Sequence, residues 1–467
     1  MRTVLAALAI CFALAACDAD EGSEASASPT RYVFLDAQGV DTVDTSGQTF
    51  RHALIVEMSR WIAGLTATID SGAFAPGPGD VAAGLDFWFA FDDAIGASTP
   101  FDLGITDPVR QQSHADLASG KRLVDKLAGN DPEGQHADWS TAFQGWDDPV
   151  VQGPEDLVRH WFAELDALAA ARAQGEVALD PQGQPIEVVY VSPTGLDYRE
   201  LLQKFLLGAV AFSQGADDYL DDDLPGKGLL ADNTTVAEAG ATALAHGWDE
   251  GFGYFGASRD FGDYTDDELA GAGGRPERAG ARFDFDEDGA LDLTSEVVWG
   301  HALNAAKRDR GSVVATDFTG DAWAGFLAGR ALIHGAGGTL SDEELATLRA
   351  HRDQAVGAWE QAIAATVVHY INEVLVDLAE PATPHAARAK HWSELKGFAL
   401  SFQFNPRSPL NDEEFGRLHA LIGQAPVLPG GDTAAYADRL REARQLVGTA
   451  YGFDAANLGD DAGRGGW

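Results

Sequence analysis

The sequence predicts a mainly α-helical protein with at most a short β-ribbon. Apolar residues recur at three- and four-residue spacing through most of the chain, whereas few segments alternate as exposed strands do. Hydrophobic residues make up 45% of the chain, which is enough for a substantial core. Because the roughly 440 residues after the N-terminal segment exceed what one core usually supports, we predict two packed helical bundles.

The N-terminus has the pattern of a bacterial lipoprotein signal peptide, predicted over residues 1–16. Arg2 precedes an apolar run from Val4 to Ala16 that is too short to span a bilayer. The run ends in Leu-Ala-Ala directly before Cys17, where lipoprotein signal peptidase would cut and leave a lipid on Cys17. The alternative is an ordinary secretory peptide followed by an incidental cysteine.

Residues 17–30 are rich in Asp, Glu, Ser and Ala and are predicted to form a flexible, lipid-anchored tether. Cys11 would leave with the signal peptide, and lipid would occupy the thiol of Cys17, so we expect no disulfide. We therefore predict a lipoprotein of the cell envelope, periplasm-facing or on the cell surface, attached to the inner or the outer membrane.

The predicted N-terminal helical subdomain covers residues 31–195. Its clearest helix carries Phe50, Leu54, Met58 and Leu65 on one face. The segment 186–191 is the best strand candidate, because it is apolar and follows a turn-like Asp-Pro-Gln-Gly sequence. Helices are predicted at 49–65, 107–128 and 154–174.

The predicted C-terminal bundle covers residues 196–453 and includes an acidic loop at 256–292, rich in Gly and Asp. Residues 454–467 are predicted to be a flexible tail. Helices are predicted at 197–220, 235–255, 293–309, 318–336, 341–378, 386–402, 411–422 and 433–451.

The chain is strongly acidic, with a formal net charge of −41 and an isoelectric point near 4.4. This charge argues against nucleic acid as a partner and against adhesion to anionic lipid headgroups. It also attracts cations, although a solvated acidic surface explains the composition equally well.

Two histidine–glutamate pairs lie at helical spacing in otherwise apolar segments. His246 and Glu250 share one helix face, as do His391 and Glu394. Each pair could ligate a metal or form a hydrogen bond inside a polar core. We predict that both pairs and Glu296 converge in one buried site suited to iron, copper or zinc. The alternative is separate polar networks.

A second metal pattern lies in the segment 284–296. Its acidic residues occupy positions 1, 3, 5 and 9 of a calcium loop, with glycine at position 6, so that carboxylates can converge on a hard cation. One feature differs, because the closing glutamate falls one residue after position 12. The alternative is an acidic turn that caps the next helix. The predicted calcium ligands are Asp284, Asp286, Asp288, Asp292 and Glu296.

Four motifs carry a resemblance to a known family. They are Ser-Gly-Gln-Thr-Phe-Arg at 46–51, His-Gly-Trp-Asp-Glu-Gly-Phe-Gly-Tyr-Phe-Gly at 246–256, Lys-Arg-Asp at 307–309 and His-Trp-Ser-Glu-Leu-Lys-Gly-Phe at 391–398. Together they resemble the bacterial lipoprotein family called domain of unknown function 4856, over about residues 32 to 453. That family implies no activity.

A weaker likeness is to the imelysins, periplasmic helical-bundle proteins linked to iron uptake. Their Gly-x-His-x-x-Glu motif is matched only in part, because Ala389 stands where the motif has glycine. The likeness implies a helical double bundle and a role near metal acquisition.

Three functions follow. The first is a lipoprotein without enzymatic activity that binds or hands on a ligand, above all a metal such as iron. The second is a scaffold for an envelope transporter or an outer-membrane receptor. The third is a metal-dependent hydrolase, although the chain has no His-Glu-x-x-His motif, no Gly-x-Ser-x-Gly elbow and no candidate nucleophilic cysteine.

Overall fold

The computed structural model describes residues 30–117, 120–237 and 240–467. The predicted signal peptide, Cys17 and nearly all of the predicted tether lie outside these residues. Within them the fold is mainly α-helical, as predicted, and no β-sheet forms. The α-helices are α1 (Ser46–Asp70), α2 (Asp80–Phe89), α3 (Asp93–Gly96), α4 (Trp139–Ala142), α5 (Pro154–Ala173), α6 (Tyr198–Leu206), α7 (Ala243–Phe255), α8 (Asp266–Leu269), α9 (Gly300–Gly311), α10 (Phe318–Ala336), α11 (Asp342–Ala379), α12 (His385–Ala399), α13 (Asp412–Ile422), α14 (Thr433–Ala450) and α15 (Ala455–Leu458).

Local capping fixes where several of these helices begin. At the start of α11, Ser341 and Glu344 form a capping box in which each side chain accepts from the backbone N–H of the other residue. Asn411 and Glu414 do the same for α13. Pro154 begins α5, where its missing N–H has no helical partner to lose. These signals are local, which is why the predicted starts of α5, α11 and α13 agree with the structure.

The long helix α11 lies at the centre of the C-terminal part and packs against α9, α10, α12 and α14. By length and composition alone α11 could cross a membrane, but 67% of its most apolar stretch is buried inside the protein. It is therefore a core helix. In the N-terminal part, α1 packs against α2, α5, α6 and α7.

One continuous cluster of buried apolar side chains extends from Tyr32 to Trp467. It includes residues on both sides of the predicted boundary at 195, such as Leu165 of α5 and Leu201 of α6. A small satellite cluster is formed by Ile186, Val191 and Ala389. The two predicted subdomains thus share one core.

Helix α6 continues as wider π-helical turns at Leu207–Phe212 and Gly215–Tyr219. A Cβ atom at position 215 would lie 2.6 Å from the ring of Trp359, so only glycine lets this segment lie against α11. The second π segment buries Asp217 and Asp218 completely or nearly so. Such turns are often found at functional sites.

Two local predictions were wrong, and one helix was missed. The described residues of the segment 107–128 are irregular and contain two short 3-10 turns, His114–Asp116 and Val124–Lys126. Ser113 and Asp116 form a capping box, but the turn that it starts ends at Asp116. The segment 186–191 forms no strand, and one isolated bridge joins its last residue, Val191, to Asp197. Helix α2 was not predicted.

The predicted flexible tail at 454–467 is also a wrong prediction, because it packs against the body of the protein. Trp467 is buried, and its indole N–H donates to the carbonyl of Arg308 over 2.9 Å. The side-chain amide of Asn372 in α11 donates to the carbonyls of Leu458 and Trp467, each over 3.0 Å. Although this segment is rich in glycine, the large apolar surface of Trp467 is buried and holds the segment against the core.

Candidate cation site and the predicted metal residues

Residues 284–296, called the acidic loop from here on, bring three carboxylate groups together. Oxygen atoms of Asp284, Asp286 and Glu296 all lie within 4.8 Å of one another. Among the described residues, this is the only group of three or more His, Cys, Asp or Glu side chains that meets that spacing. The loop therefore is the candidate cation site of this structure.

Glu296 closes the loop even though it falls one residue later than the usual closing glutamate. Its Oε1 accepts from the backbone N–H of Phe285 at 2.9 Å, and its Oε2 accepts from that of Asp292 at 2.7 Å. The residue is buried, and burial raises the pKa of its carboxyl group, although the loop amides oppose this shift. Glu296 thus ties both ends of the loop together through hydrogen bonds.

Asp284 has one oxygen atom that is bonded and one that is not. Its Oδ2 accepts from the backbone N–H of Gly289 at 2.9 Å. Its Oδ1 is buried and has no hydrogen-bond partner among the described residues. An unpaired buried carboxylate oxygen is costly, and a cation would satisfy it. The turn itself requires left-handed backbone at Glu287 and Gly289.

Arg110 lies over the outer side of the loop. Its guanidinium group is 3.1 Å from Asp286, 2.6 Å from Asp288 and 2.9 Å from Asp292. These carboxylates raise the pKa of Arg110 above its ordinary value. The backbone holds Arg110 in place, because its N–H donates to the carbonyl of Leu291 at 2.8 Å. The side-chain amide of Gln111 also donates to Asp292, over 3.0 Å.

His246 and Glu250 lie together on α7, but at the surface. Nε2 of His246 is 3.8 Å from Oε1 of Glu250, and the histidine side chain is 47% exposed. Glu250 accepts a hydrogen bond of 2.9 Å from the side-chain amide of Gln48. The predicted pair exists, but it is not a buried site.

His391 on α12 has a different partner from the one predicted. Its Nδ1 lies 2.9 Å from Oδ2 of Asp377 on α11. Burial lowers the pKa of His391, but the hydrogen bond and charge of Asp377 outweigh burial and raise it above the ordinary histidine value. No sequence motif indicated Asp377, which lies on another helix.

Glu394 is occupied by neighbouring donors. It accepts from the hydroxyl of Tyr370 and from the ammonium group of Lys390, each over 2.8 Å, and Lys204 lies 3.5 Å away. Two lysines and a tyrosine thus satisfy this carboxylate.

The five residues predicted to converge lie in three separate neighbourhoods: the 284–296 loop, the surface of α7, and the contact between α11 and α12. The prediction of one shared site is corrected accordingly. The physical reason is that each buried polar group has a satisfactory partner close by and does not need the others. The binding of a transition metal at His246 or at His391 stays a prediction.

Sequence reasoning missed Arg110 and also a second polar cluster, in which His136 lies beside the buried Asp217. Arg110 is separated from Asp286 by 176 positions, and no pattern in the sequence pairs them. The run Asp-Asp at 217–218 was visible as acidic sequence, but not as a buried one.

The profile of one protein family, described as "Domain of unknown function (DUF4856)", matches residues 29–267. The match covers more than half of the chain. The chain belongs to the DUF4856 family. The matched DUF4856 region includes His246 and Glu250 but ends before the acidic loop and before His391, so the motifs at 307–309 and 391–398 lie beyond it. No curated protein and no solved structure matches the chain.

Proposed function

We propose that this DUF4856 protein is a cell-envelope lipoprotein without enzymatic activity that binds a divalent cation, calcium first, at the 284–296 loop. The observation that carries the proposal is the convergence of Asp284, Asp286 and Glu296 within 4.8 Å, next to an unpartnered buried oxygen of Asp284. The proposal has three further supports.

The first support is the donor set. The loop offers oxygen ligands only, from four aspartates and Glu296, and oxygen ligands suit hard cations such as calcium. Calcium needs six to eight oxygens in flexible geometry, and backbone carbonyls and water can complete such a set.

The second support is charge. Arg110 balances only part of the negative charge of the acidic loop. A bound cation would balance more of it, in competition with the guanidinium group for Asp286 and Asp288. The net charge of −41 raises the local concentration of cations around the whole molecule.

The third support is the Leu-Ala-Ala-Cys sequence ending at Cys17, which would place the domain outside the cytoplasm, where calcium is a common structural ion.

A transition metal such as iron, copper or zinc is the second candidate, at His391. The observation that favours it is the contact with Asp377, since a carboxylate that orients one imidazole nitrogen is typical of metal-binding histidines. Handing on the bound metal to an envelope transporter or outer-membrane receptor would then be its role.

The test uses full-length protein purified without an affinity tag. Metal content is measured by mass spectrometry, and thermal unfolding is followed in chelator and in calcium. We expect calcium to raise the melting temperature of the wild type by several degrees, and Asp284→Asn with Asp286→Asn to remove most of that rise.

The matched control is Asp180→Asn, because Asp180 also accepts two backbone N–H groups in a tight turn. In the described part of the chain it belongs to no carboxylate group of the kind seen in the loop. It should keep the full response to calcium. An equal response in all three proteins would overturn the calcium site. Stoichiometric iron, copper or zinc that is lost in His391→Ala would favour the second candidate instead.

A further inference from the structure

A cavity of about 630 Å³ lies between residues 136–144, which include α4, and residues 402–415, which connect α12 to α13 and begin α13. Its size is in the range of small-molecule sites. Residues that line it include His136, Trp139, Phe402, Asn405, Ser408 and Phe415.

One wall of the cavity is a histidine held by a buried carboxylate. Nδ1 of His136 lies 2.9 Å from Oδ1 of Asp217, and the backbone N–H of His136 donates to the same oxygen over 3.1 Å. Asp217 has no exposed surface, whereas 30% of the His136 side chain is exposed. Burial raises the pKa of Asp217 to about 6, against the lowering effect of His136. Asp217 therefore fixes the orientation of the imidazole ring, and Nε2 has no hydrogen-bond partner among the described residues.

The opposite wall is held in the same way by Glu360 of α11. Ser408 donates to Oε1 of Glu360 over 2.6 Å, and Asn405 donates to Oε2. The hydroxyl of Tyr451 supplies a third hydrogen bond, over 2.7 Å. Burial raises the pKa of Glu360, which is almost fully buried.

Burying two carboxyl groups behind one cavity costs free energy, because each group loses its hydration on folding. Each of them fixes side chains that face the cavity, which is how a binding site is preorganised. Asp217 also lies in a π-helical turn, a feature often found at functional sites. These three features together distinguish the cavity from an ordinary surface groove.

The lining groups define the ligand. The hydroxyl proton of Ser408 and one amide proton of Asn405 are directed at Glu360, so the Ser408 oxygen is left as an acceptor. In the neutral tautomer whose proton on Nδ1 faces Asp217, His136 has a second acceptor at Nε2. Among the described residues, no lysine or arginine lines the cavity, and Asp412 and Glu413, both exposed, also line it. Two acceptors beside aromatic side chains, with negative charge at the entrance, favour a ligand that carries positive charge and donates hydrogen bonds.

We infer that this cavity binds a small organic cation with a protonated amine. The amine would donate to the histidine and hydroxyl acceptors, and the carbon chain would lie against Trp139, Phe402 and Phe415. This inference is independent of the cation proposed for the 284–296 loop, and Asp284→Asn with Asp286→Asn should leave amine binding unchanged.

The test is calorimetric titration of the full-length protein with three four-carbon probes: 1,4-diaminobutane, 1,4-butanediol and succinate. Spermidine and phenethylamine extend the amine set. We expect saturable binding of at least one amine, at least about tenfold weaker binding of the diol, and none of succinate. If no amine binds up to about 10 mM, or if the diol binds as well as the diamine, the inference is overturned.

Variants separate the cavity from general attraction to an acidic protein. His136→Leu should weaken amine binding by about tenfold, whereas His246→Leu, which replaces another half-exposed histidine beside a carboxylate, should not. Equal affinities in both variants would assign the binding to nonspecific charge and overturn the inference.

A second pair of variants does not touch the core. Asp412→Asn with Glu413→Gln removes the two exposed rim charges and should weaken amine binding several-fold. Asp342→Asn with Glu343→Gln makes the same change in the first turn of α11, which has the same capping box but lies outside the cavity. It should leave binding intact. Identical losses in the two double variants would contradict the assignment to this cavity.

Discussion

Nε of Arg330 lies 2.8 Å from Oδ1 of Asp249, and the two side chains are almost completely buried where α10 packs against α7. Tyr32 donates to the same carboxylate oxygen over 2.8 Å. The core of this protein therefore contains a charge pair with its own hydrogen-bond donor, in a place where each charge depends on the other.

Replacing one partner of this pair should be strongly destabilising. Asp249→Ala leaves the buried guanidinium of Arg330 without a counter-charge, and we expect a loss of about 3 to 5 kcal/mol in the free energy of unfolding. Arg417→Ala, which breaks the exposed pair with Glu442, should cost less than about 1 kcal/mol. Urea unfolding of both variants measures the difference, and similar losses would contradict the prediction.

His301 should make the protein sensitive to acid. The residue is fully buried, and neither ring nitrogen has a hydrogen-bond partner among the described residues. Burial lowers its pKa to about 3. Since the unfolded state takes up this proton near pH 6.5 and the native state only near 3, stability is present above that window and is lost as the pH falls through it.

In His301→Phe that contribution disappears. Between about pH 7 and pH 5 the wild type should lose roughly 2 kcal/mol relative to the variant. The comparison within one protein background cancels the opposing effect of buried carboxyl groups such as Asp197, whose pKa is raised to about 7. Parallel pH profiles of stability for the two proteins would contradict the assignment.

Two helical glycines should respond to alanine in opposite ways. A Cβ atom at Gly325 in α10 would lie 2.7 Å from the backbone nitrogen of Ala355 in α11, so Gly325→Ala should destabilise the protein by about 1 to 3 kcal/mol. A Cβ atom at Gly357 in α11 would have no neighbouring atom of the described residues within 4 Å. Gly357→Ala should therefore stabilise by roughly 0.5 to 1 kcal/mol. Thermal or urea unfolding measures the stability of both variants. If both lose stability, the contact with Ala355 is not the cause of the loss in Gly325→Ala.

Arg110 should set how strongly the acidic loop depends on calcium. Arg110→Gln removes the cation that balances Asp286, Asp288 and Asp292, so the melting temperature in chelator should fall and the rise on adding calcium should grow. Arg282→Gln is the matched control, because Arg282 precedes the loop but pairs with Asp107. If Arg110→Gln and the wild type gain equally from calcium, the competition between guanidinium and cation does not exist.

Cys17 should carry the lipid. Cys17→Ser should prevent incorporation of labelled palmitate and move the protein from the membrane fraction to the soluble fraction, because several acyl chains on one cysteine anchor stably. Cys11→Ser removes the other cysteine of the chain and should change neither result. Membrane retention of the Cys17→Ser protein without detergent would contradict the lipoprotein proposal.

The agreement between predicted and observed helices follows from the range of the interactions that define them. Helix α10 was predicted at 318–336 and forms at Phe318–Ala336, because Asp317 caps it and apolar residues repeat along one face. The predicted helix at 197–220 begins correctly after the cap Asp197, but its second half is π-helical. Within that half, Gly215 lies against Trp359, a residue on another helix that no local pattern indicates.

By itself, the sequence determined the helical fold and the pattern of the acidic loop, since each depends on residues within a few turns of one another. The family membership was also visible in the sequence, through motifs spread along the chain. Only the tertiary structure decided that Arg110 covers that loop, that His246 and His391 have separate partners, and that His136 lies on Asp217. Periodicity shows which helix face is buried, but not which helix it meets. Partners of buried polar groups are chosen when helices dock, by contacts between positions far apart in the chain.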